Sequence, residues 1–501
     1  MGIIKQTKNI YNFTKNIKAL NSEDELQSEK ANRYIQTLLS EQGGLYLKVL
    51  QYMGTENQKI AKIAYEDIVG INSQQVREIV ERNFPDFNGE VFQESYAASI
   101  GQVNRGRIGN EEIAIKIRYP GIKEVLEDQL KLLKLIPSVQ NFSPAKKWGV
   151  DFTPYQESIK AMLDQECDYT KEALELKKWE EYLKPVEGVR VPEVYSEFLR
   201  EDIFIQEFIE GQSVSQIEAN CQPREKRQLA EKLVYSFLLL ALKHGKMQGD
   251  SNFGNYLFRA DTLEVIYLDL GQVLSFSQTF RQTILNAIWM RFNGEHFDTL
   301  SFFQGLGFDV KKLSPIEKKL DLLITVLLEP LLSNRPINLK NWNYKRDIET
   351  LLGEEKWWFR SAGGTEFFLF MKGFLGLKNL LNFWNVNLNW HQLLKELVLR
   401  ENLKTEKIIP LEGRDEVGQS FHGNNILVRV LDGEDEKVKI TMPFMTLFDL
   451  EDYIDEEVKT LIKAEGYNLD NIVEEALTDG GRPKEIINIK KGHKTYFVAI
   501  I

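Results

Sequence analysis

The sequence has little of what redox or thiolate chemistry would need. Only two cysteines occur in 501 residues, Cys167 and Cys221. They form no Cys-x-x-Cys pair, which excludes a disulfide scaffold and a cysteine-rich zinc site and fits a reducing, cytoplasmic compartment. The five histidines (His244, His296, His391, His422, His493) form no His-x-x-x-His pair. Metal held by histidine is therefore not expected, whereas magnesium held by oxygen ligands is. Basic charge is also short: a net charge of -11 argues against a broad surface for nucleic acid, whose phosphates attract excess lysine and arginine. No run of about 18 uncharged apolar residues exists, so no transmembrane segment is expected. The nearest approach, Phe367 to Trp384, is broken by Lys372 and Lys378; it reads as a core helix, with an interfacial membrane contact as the alternative. The first twenty residues lack the continuous apolar stretch of a secretory signal, and Gln6 stands where a myristoylation signal prefers Ser or Thr.

What is present suits a large folded interior. Hydrophobic residues make up 43% of the chain and aromatics 11%, which argues against disorder, and the length calls for two or three domains. Lys5, Lys8, Lys15 and Lys18 interleave with Ile3, Ile4, Ile10, Tyr11, Phe13 and Ile17, a pattern compatible with a basic amphipathic helix lying on a membrane surface or with a flexible arm. Apolar residues then recur at helical spacing through Ile60, Ile63, Ala64, Ile68 and Val69 until Asn83–Gly89 punctuates the chain. The period shortens to two at Ile113–Arg118, a strand within a small antiparallel sheet. Helix is expected from about 122 to 182, strand at Val189–Val194 and Ile203–Phe208, and a buried helix at Leu233–Leu242. A loop at 249–255 is followed by the strand-like Tyr256–Phe258 and a β-rich run, Val265–Leu268, and helix runs on to about residue 400. Past a composition break at 404–418, Ile426–Leu431 and Lys437–Met442 flank Asp432-Gly433, a hairpin signal. Two acidic helical segments and another strand pair about Lys491-Gly492 follow.

One ordered set of residues carries chemistry. Asp250-Ser-Asn-Phe-Gly-Asn255 reads Asp-x-x-x-x-Asn, Asp269-Leu-Gly271 begins fourteen residues after the Asn, and a strand lysine, Lys116, lies upstream. Kinase-like phosphoryl transfer uses these parts. The lysine neutralises the α/β-phosphates, the glycine-bounded Asp269 holds magnesium, Asn255 adds a second metal oxygen, and Asp250 orients or deprotonates the acceptor. Each alone is commonplace, since a strand lysine is usually solvated and Asp-Leu-Gly is usually a turn. Their order and spacing point to ATP and Mg2+.

A glycine-rich loop is missing ahead of Lys116. Its place is taken by Tyr96-Ala-Ala-Ser-Ile-Gly-Gln-Val103, whose alanines do not readily take the positive φ of a phosphate-wrapping glycine. This stretch resembles the alanine-rich loop of the UbiB family, atypical kinase-like proteins linked to coenzyme Q and other isoprenoid lipid metabolism. Ala114-Ile-Lys-Ile-Arg-Tyr-Pro-Gly121 resembles its strand-lysine motif, and Gln165-Glu-Cys-Asp-Tyr-Thr-Lys-Glu-Ala173 its E-x-D stretch. Val191–Tyr195 and Gln206–Gly211 resemble the strand leading to the hinge, and Gly43–Gln51 its K-x-G-Q signature. The resemblance runs from about residue 40 to 395.

It implies an α+β, two-lobed protein-kinase-like fold. A helical N-terminal extension would span 1–85, an N-lobe 86–210 and a mostly helical C-lobe 211–404; the pattern past the composition break reads by itself as a separate small α+β accessory domain, 416–501. The resemblance implies Lys116 as the phosphate-binding lysine with Glu172 as its partner. Ala97, Ala98, Ser99 and Gln102 would lie at the nucleotide, Glu166 and Asp168 would be the E-x-D acids, and Lys48 and Gln51 would cover the cleft, with Glu166 as the countercharge of Lys48. The chain departs from the pattern at Leu50, where the family has glycine, and in Gln248-Gly-Asp-Ser-Asn-Phe-Gly-Asn255. There Gln248 and Asn252 replace histidines, and Ser251 and Phe253 replace prolines. The family's hydrophobic C-terminal anchor is replaced by the α+β tail. The expected function is an ATP- and magnesium-dependent atypical kinase or ATPase. It would act on isoprenoid lipid, or on lipid-pathway proteins met through 416–501, rather than as a general protein kinase. The alternatives are a nucleotide-gated lipid- or protein-binding module and a small-molecule kinase of the aminoglycoside or choline kinase type.

Overall fold

A computed structural model describes residues 71–97, 100–123, 164–250, 252–413, 425–433, 435–454 and 456–501, with a few positions between 16 and 34. These form two compact units. One ends at Ser275 and takes back Leu369–Val386; the other comprises Phe276–Phe368 and Asn387–Ile501. The readings for the segment before residue 71 that carries Lys48, Gln51 and the lysine-rich arm, and for the middle of the helical stretch from 122 to 182, lie outside the described residues.

The first unit opens with helix α1 (Ser73–Asn83), started by a capping box between Asn72 and Gln75. Strands β1 (Glu90–Ala97), β2 (Gly101–Ile108) and β3 (Glu111–Arg118) follow. Helix α2 (Tyr169–Leu183), β4 (Val189–Arg190), β5 (Val194–Leu199) and β6 (Ile203–Glu207) come next. A five-stranded antiparallel sheet runs β1-β2-β3-β6-β5. Alternation along β3 divides its side chains between two faces. Ile113, Ile115 and Ile117, with Ile203 and Ile205 of β6, pack on Val76, Val80 and Phe84 beside α1. Ala114 and Lys116 leave on the other face, opposite Gln206 and Phe204.

The strand expected over Val189–Val194 is split in the structure. Val189 and Arg190 pair in parallel with Val265 and Ile266, while Val194 joins the five-stranded sheet. Pro192 stands between them, and a residue without an N–H cannot continue a ladder.

Helices α3 (Val214–Asn220) and α4 (Pro223–Leu238) lead to a wider π-helical turn, Leu239–His244. Leu233–Leu242 is buried throughout, as its composition predicts. His244, at the end of that turn, stacks on Tyr182 with centroids 4.0 Å apart. Strands β7 (Lys246–Gln248), β8 (Tyr256–Arg259), β9 (Glu264–Tyr267) and β10 (Val273–Ser275) complete this part.

The second unit holds α5 (Gln278–Phe292), α6 (Thr299–Gly305), α7 (Val310–Leu313), α8 (Glu317–Leu332), α9 (Tyr344–Leu352) and α10 (Lys356–Ala362). Phe303, Phe308, Phe359 and Phe367 form a cluster with centroids 5.1–6.2 Å apart, edge-to-face except for the tilted pair Phe308–Phe359. Helix α11 (Thr365–Phe383) continues into the first unit, where Phe374 meets Phe237. Helix α12 (Trp390–Arg400) returns to the second. Its last part holds β11 (Asn425–Asp432), β12 (Asp435–Pro443), β13 (Lys484–Lys491) and β14 (Lys494–Ile500), with α13 (Glu456–Ala464) and α14 (Leu469–Thr478) between the two hairpins. The four strands form an antiparallel sheet in the order β12-β11-β14-β13. Gly433 and Gly492 take φ of +62° and +63° at the two hairpin turns, a conformation glycine adopts without steric cost.

Two positions test this construction. Ile115 is fully buried; Ile115→Ala should cost about 2–5 kcal/mol, read as a lower urea midpoint. Asp168 caps α2, accepting from Thr170 N at 3.1 Å and Thr170 Oγ1 at 2.5 Å. Burial opposes the charged form of Asp168. The bonds from Thr170, with Lys171 nearby, outweigh burial and hold its carboxyl below the usual value. Asp168→Ala should cost about 1 kcal/mol at pH 7. Because the folded value is depressed, the deficit relative to wild type should shrink as pH falls below about 4.

Candidate active site

The chemistry-bearing residues converge on one ammonium. Lys116 reaches from β3 to within 2.6 Å of Glu172 Oε1 on α2 and 2.7 Å of Asp269 Oδ2 in the loop between β9 and β10. The lysine is 6% exposed and Glu172 1%. Its Nζ also lies 5.3 Å and 5.9 Å from the ring centroids of Tyr169 and Phe204, which exclude water from one side. Burial pulls the lysine toward neutrality, yet the carboxylates of Asp269 and Glu172 outweigh it and keep Lys116 charged. Burial, reinforced by the Asp269 charge, pushes the Glu172 carboxyl up to about 7 against the pull of Lys116.

Asp269 is held at both oxygens. Gly271 N donates to Oδ1 at 2.7 Å while Lys116 takes Oδ2. A Cβ at Gly271 would stand 3.1 Å from Asp269 Oδ1, 3.5 Å from Glu172 Oε2 and 3.9 Å from Glu166 Cγ. The buried Glu166 therefore flanks the same loop. Glu172 and Asp269 thus face the Lys116 ammonium, with the Glu166 carboxylate beside the same loop.

The loop from Asp250 to Asn255 is drawn to Asp269 by three ties. Strand β7 pairs with β10, with Gln248 opposite Val273. Gly249 N donates to Gln272 O at 2.8 Å, and Leu268 N to Asn255 O at 2.9 Å. Within the loop, Asp250 Oδ1 accepts from Asn252 N at 3.2 Å, and Asn255 Nδ2 donates to Asp250 O at 3.0 Å. That bond turns the Asn255 carbonyl oxygen the other way, and as a hard donor it suits magnesium, as the Asp269 carboxylate does. Among the described residues no group of three or more His, Cys, Asp or Glu side chains could hold a metal. A magnesium ion here would draw its remaining oxygens from phosphates and water, its usual habit in phosphoryl-transfer sites.

Gln248 is a site residue that the motif reading passed over as a substitution. Its Nε2 donates to Asp269 O, and its Oε1 accepts from Asp250 N at 3.3 Å. A single amide joins the two loops, using the donor and acceptor that a histidine ring also offers.

Lys116, Glu172, Asp269 and Glu166 are thus gathered at one place, the Asp250–Asn255 loop is tied against it, and Asp168 is set at the start of the helix carrying Glu172. Gln102 is not brought there. Its partner across the ladder is Ile117, so it leaves the sheet on the opposite face from Lys116. It is 1% exposed and binds Ile71 through N (2.7 Å), Ile71 O (3.0 Å) and Asn104 Oδ1 (2.7 Å). Ala97 ends β1 opposite Gln102. Ala98, Ser99, Lys48 and Gln51 lie outside the described residues.

Comparison with known proteins agrees with this geometry. A family model for the ABC1 atypical kinase-like domain matches residues 56–299. The Arabidopsis thaliana protein ACTIVITY OF BC1 COMPLEX KINASE 8, chloroplastic, is 30% identical over 199 residues, which are 38% of this chain and 26% of that protein. Atypical kinase COQ8, mitochondrial, of Saccharomyces cerevisiae is 29% identical over 185 residues, 37% of this chain and 36% of its own length. The matches thus span well under half of those two relatives. In structure, the Rv3197–erythromycin complex from Mycobacterium tuberculosis superposes with a TM-score of 0.50 at 19% identity. It covers 75% of this chain and 97% of its own, a likeness of fold. With its strand lysine, helix glutamate and glycine-bounded aspartate on a two-lobed, kinase-like α+β fold, the chain belongs to the UbiB family of ABC1/COQ8-type atypical kinases.

Proposed function

We propose that this protein binds ATP and magnesium and acts as an atypical kinase or ATPase rather than as a general protein kinase. The observation that carries the reading is the Lys116 ammonium held 2.6 Å from Glu172 and 2.7 Å from Asp269. Phosphoryl transfer passes through a charge-rich transition state, so positioned charges supply most of the rate. Lys116 would neutralise the α- and β-phosphates, and Glu172 would keep its long stem from wandering. Asp269 and Asn255 would hold magnesium, which when bound neutralises charge developing on the transferred phosphoryl group. Asp250 would orient the acceptor hydroxyl or water and receive its proton. The resemblance carries Lys48, Gln51, Ala97, Ala98, Ser99, Glu166 and Asp168 as further nucleotide-site or cleft-covering residues.

The setting we propose is isoprenoid-quinone or other lipid metabolism, following relatives named for COQ8. An isoprenoid lipid, a membrane surface or a lipid-pathway protein would be the partner, with 416–501 as the accessory contact. The proposed mode of membrane contact is peripheral; among the described residues no helix is long and apolar enough to cross a membrane.

One observation favours a second reading, in which nucleotide occupancy sets the shape of a binding surface with little turnover. Both oxygens of Asp269 are already engaged, by Lys116 and by Gly271 N. Each oxygen keeps a further lone pair for a metal, but a cation there would compete with the Lys116 ammonium for the same carboxylate, so binding of metal–nucleotide and the position of Lys116 are linked.

Phosphate release from ATP with magnesium distinguishes the readings. Asp269→Asn should lower turnover at least about a hundredfold, as removal of one stabilising group in the transition state typically does. Equal rates for wild type and variant would sink the enzymatic reading. Tight nucleotide binding without turnover in the wild type, lipid present or absent, would select the binding module.

A further inference from the structure

One buried polar group on the Lys116 face of the sheet has no part in the arrangement above. Gln206 lies on β6 opposite Ala114, two residues from Phe204, which lies opposite Lys116. Its side chain therefore leaves the sheet on the lysine's face, about 7 Å along the strand. The residue is 5% exposed, and its Oε1 has no hydrogen-bond partner. Leaving a buried acceptor unsatisfied costs about 1–3 kcal/mol. Native interiors satisfy the great majority of such groups, so an orphan acceptor beside a ligand site marks where a ligand's donor belongs.

Its surroundings say which end of the ligand that is. Ala114 and Val103 offer a small, apolar surface on the same face, suited to the flat side of an aromatic ring. Arg105, on the rung of Ala114, is committed to Glu112 at 2.6 Å and to Glu94 and Glu210 at 3.3 Å. Three carboxylates there repel phosphate. Phosphates belong at Lys116, and the opposite end of the ligand belongs at Gln206.

We propose that Gln206 reads the base: its Oε1 accepts a hydrogen bond from the exocyclic 6-amino group of adenine and makes the site selective for 6-aminopurine nucleotides. The inference rests on the nucleotide reading above and adds the residue that sets base preference. Guanine carries an acceptor at position 6, and the Gln206 amide could turn over to serve it. The sharper comparison is purine-riboside triphosphate, which has only hydrogen at position 6 and can pair with neither orientation. A site built to bond a donor discriminates strongly against the analogue lacking it.

The test is calorimetric titration of the full-length protein, with magnesium, against ATP and purine-riboside triphosphate. Wild type should bind ATP about tenfold more tightly, the size of one hydrogen bond. Gln206→Leu should bind both within about twofold of each other, and Gln206→Glu, which keeps an acceptor, should retain the preference. A merely structural role would weaken both ligands alike and leave their ratio unchanged. Equal binding by wild type, or a preference that survives in Gln206→Leu, overturns the proposal. Should the leucine variant not fold, wild type and Gln206→Glu decide: a preference absent from either one overturns it as well. Binding of ATP without base preference defeats this inference alone, whereas binding of neither nucleotide defeats the nucleotide reading with it.

Discussion

A buried ammonium constrains everything around it. Desolvating Lys116 is costly, and only the carboxylates of Glu172 and Asp269 make it tolerable. Those groups come from three places in the chain: strand β3, helix α2 and the loop after β9. None can shift without leaving an uncompensated charge inside the unit. That requirement explains why α2 needs a firm start at Asp168. It also explains why the loop at Asp269 is tied by the Gln248 amide, by Gly271 N and by the β7–β10 pair. Around the ammonium stand the Glu172 and Asp269 carboxylates, with Glu166 flanking the Asp269 loop.

Much of this was legible in the sequence because the chemistry dictates residue type and order. Lys116, Asp250, Asn255 and Asp269 stood out by spacing, and Glu172 by resemblance, and the fold joins Lys116 to Glu172 and Asp269 directly. Strand positions followed from period-two alternation at Ile113–Arg118 and from Asp432-Gly433. What stayed hidden depended on register. Gln102 sits next to the alanine-rich loop in sequence, but the ladder sets it opposite Ile117, and that single step sends it to the core face, where it clamps Ile71. No local pattern fixes which rung faces which. Pro192 was a readable break in the strand expected over Val189–Val194, since it removes a donor that the ladder would need.

Gln248 shows why reading a motif by identity undervalues substitution. Replacing a histidine by glutamine changes the ring but keeps a donor and an acceptor, and the structure uses both, on Asp269 O and Asp250 N. The loop has thus diverged in residue names while keeping the bonds that position it. By the same measure, Asn252 at a histidine position turns its Oδ1 inward to accept from Gly254 N at 3.0 Å, a self-satisfying turn.

The five-stranded sheet divides its labour by face. One face is aliphatic and welded to α1. The other carries the lysine, the aromatic shield of Phe204 and the buried amide of Gln206. Because each face follows from alternation, a one-residue slip of β6 against β3 would put Phe204 and Gln206 in the core and Ile203 and Ile205 beside Lys116. The apolar core on one side therefore fixes the register of the chemical groups on the other. Hydrophobic packing under α1 and the placement of Lys116, Phe204 and Gln206 on the opposite face are, in this unit, two consequences of the same strand pairing.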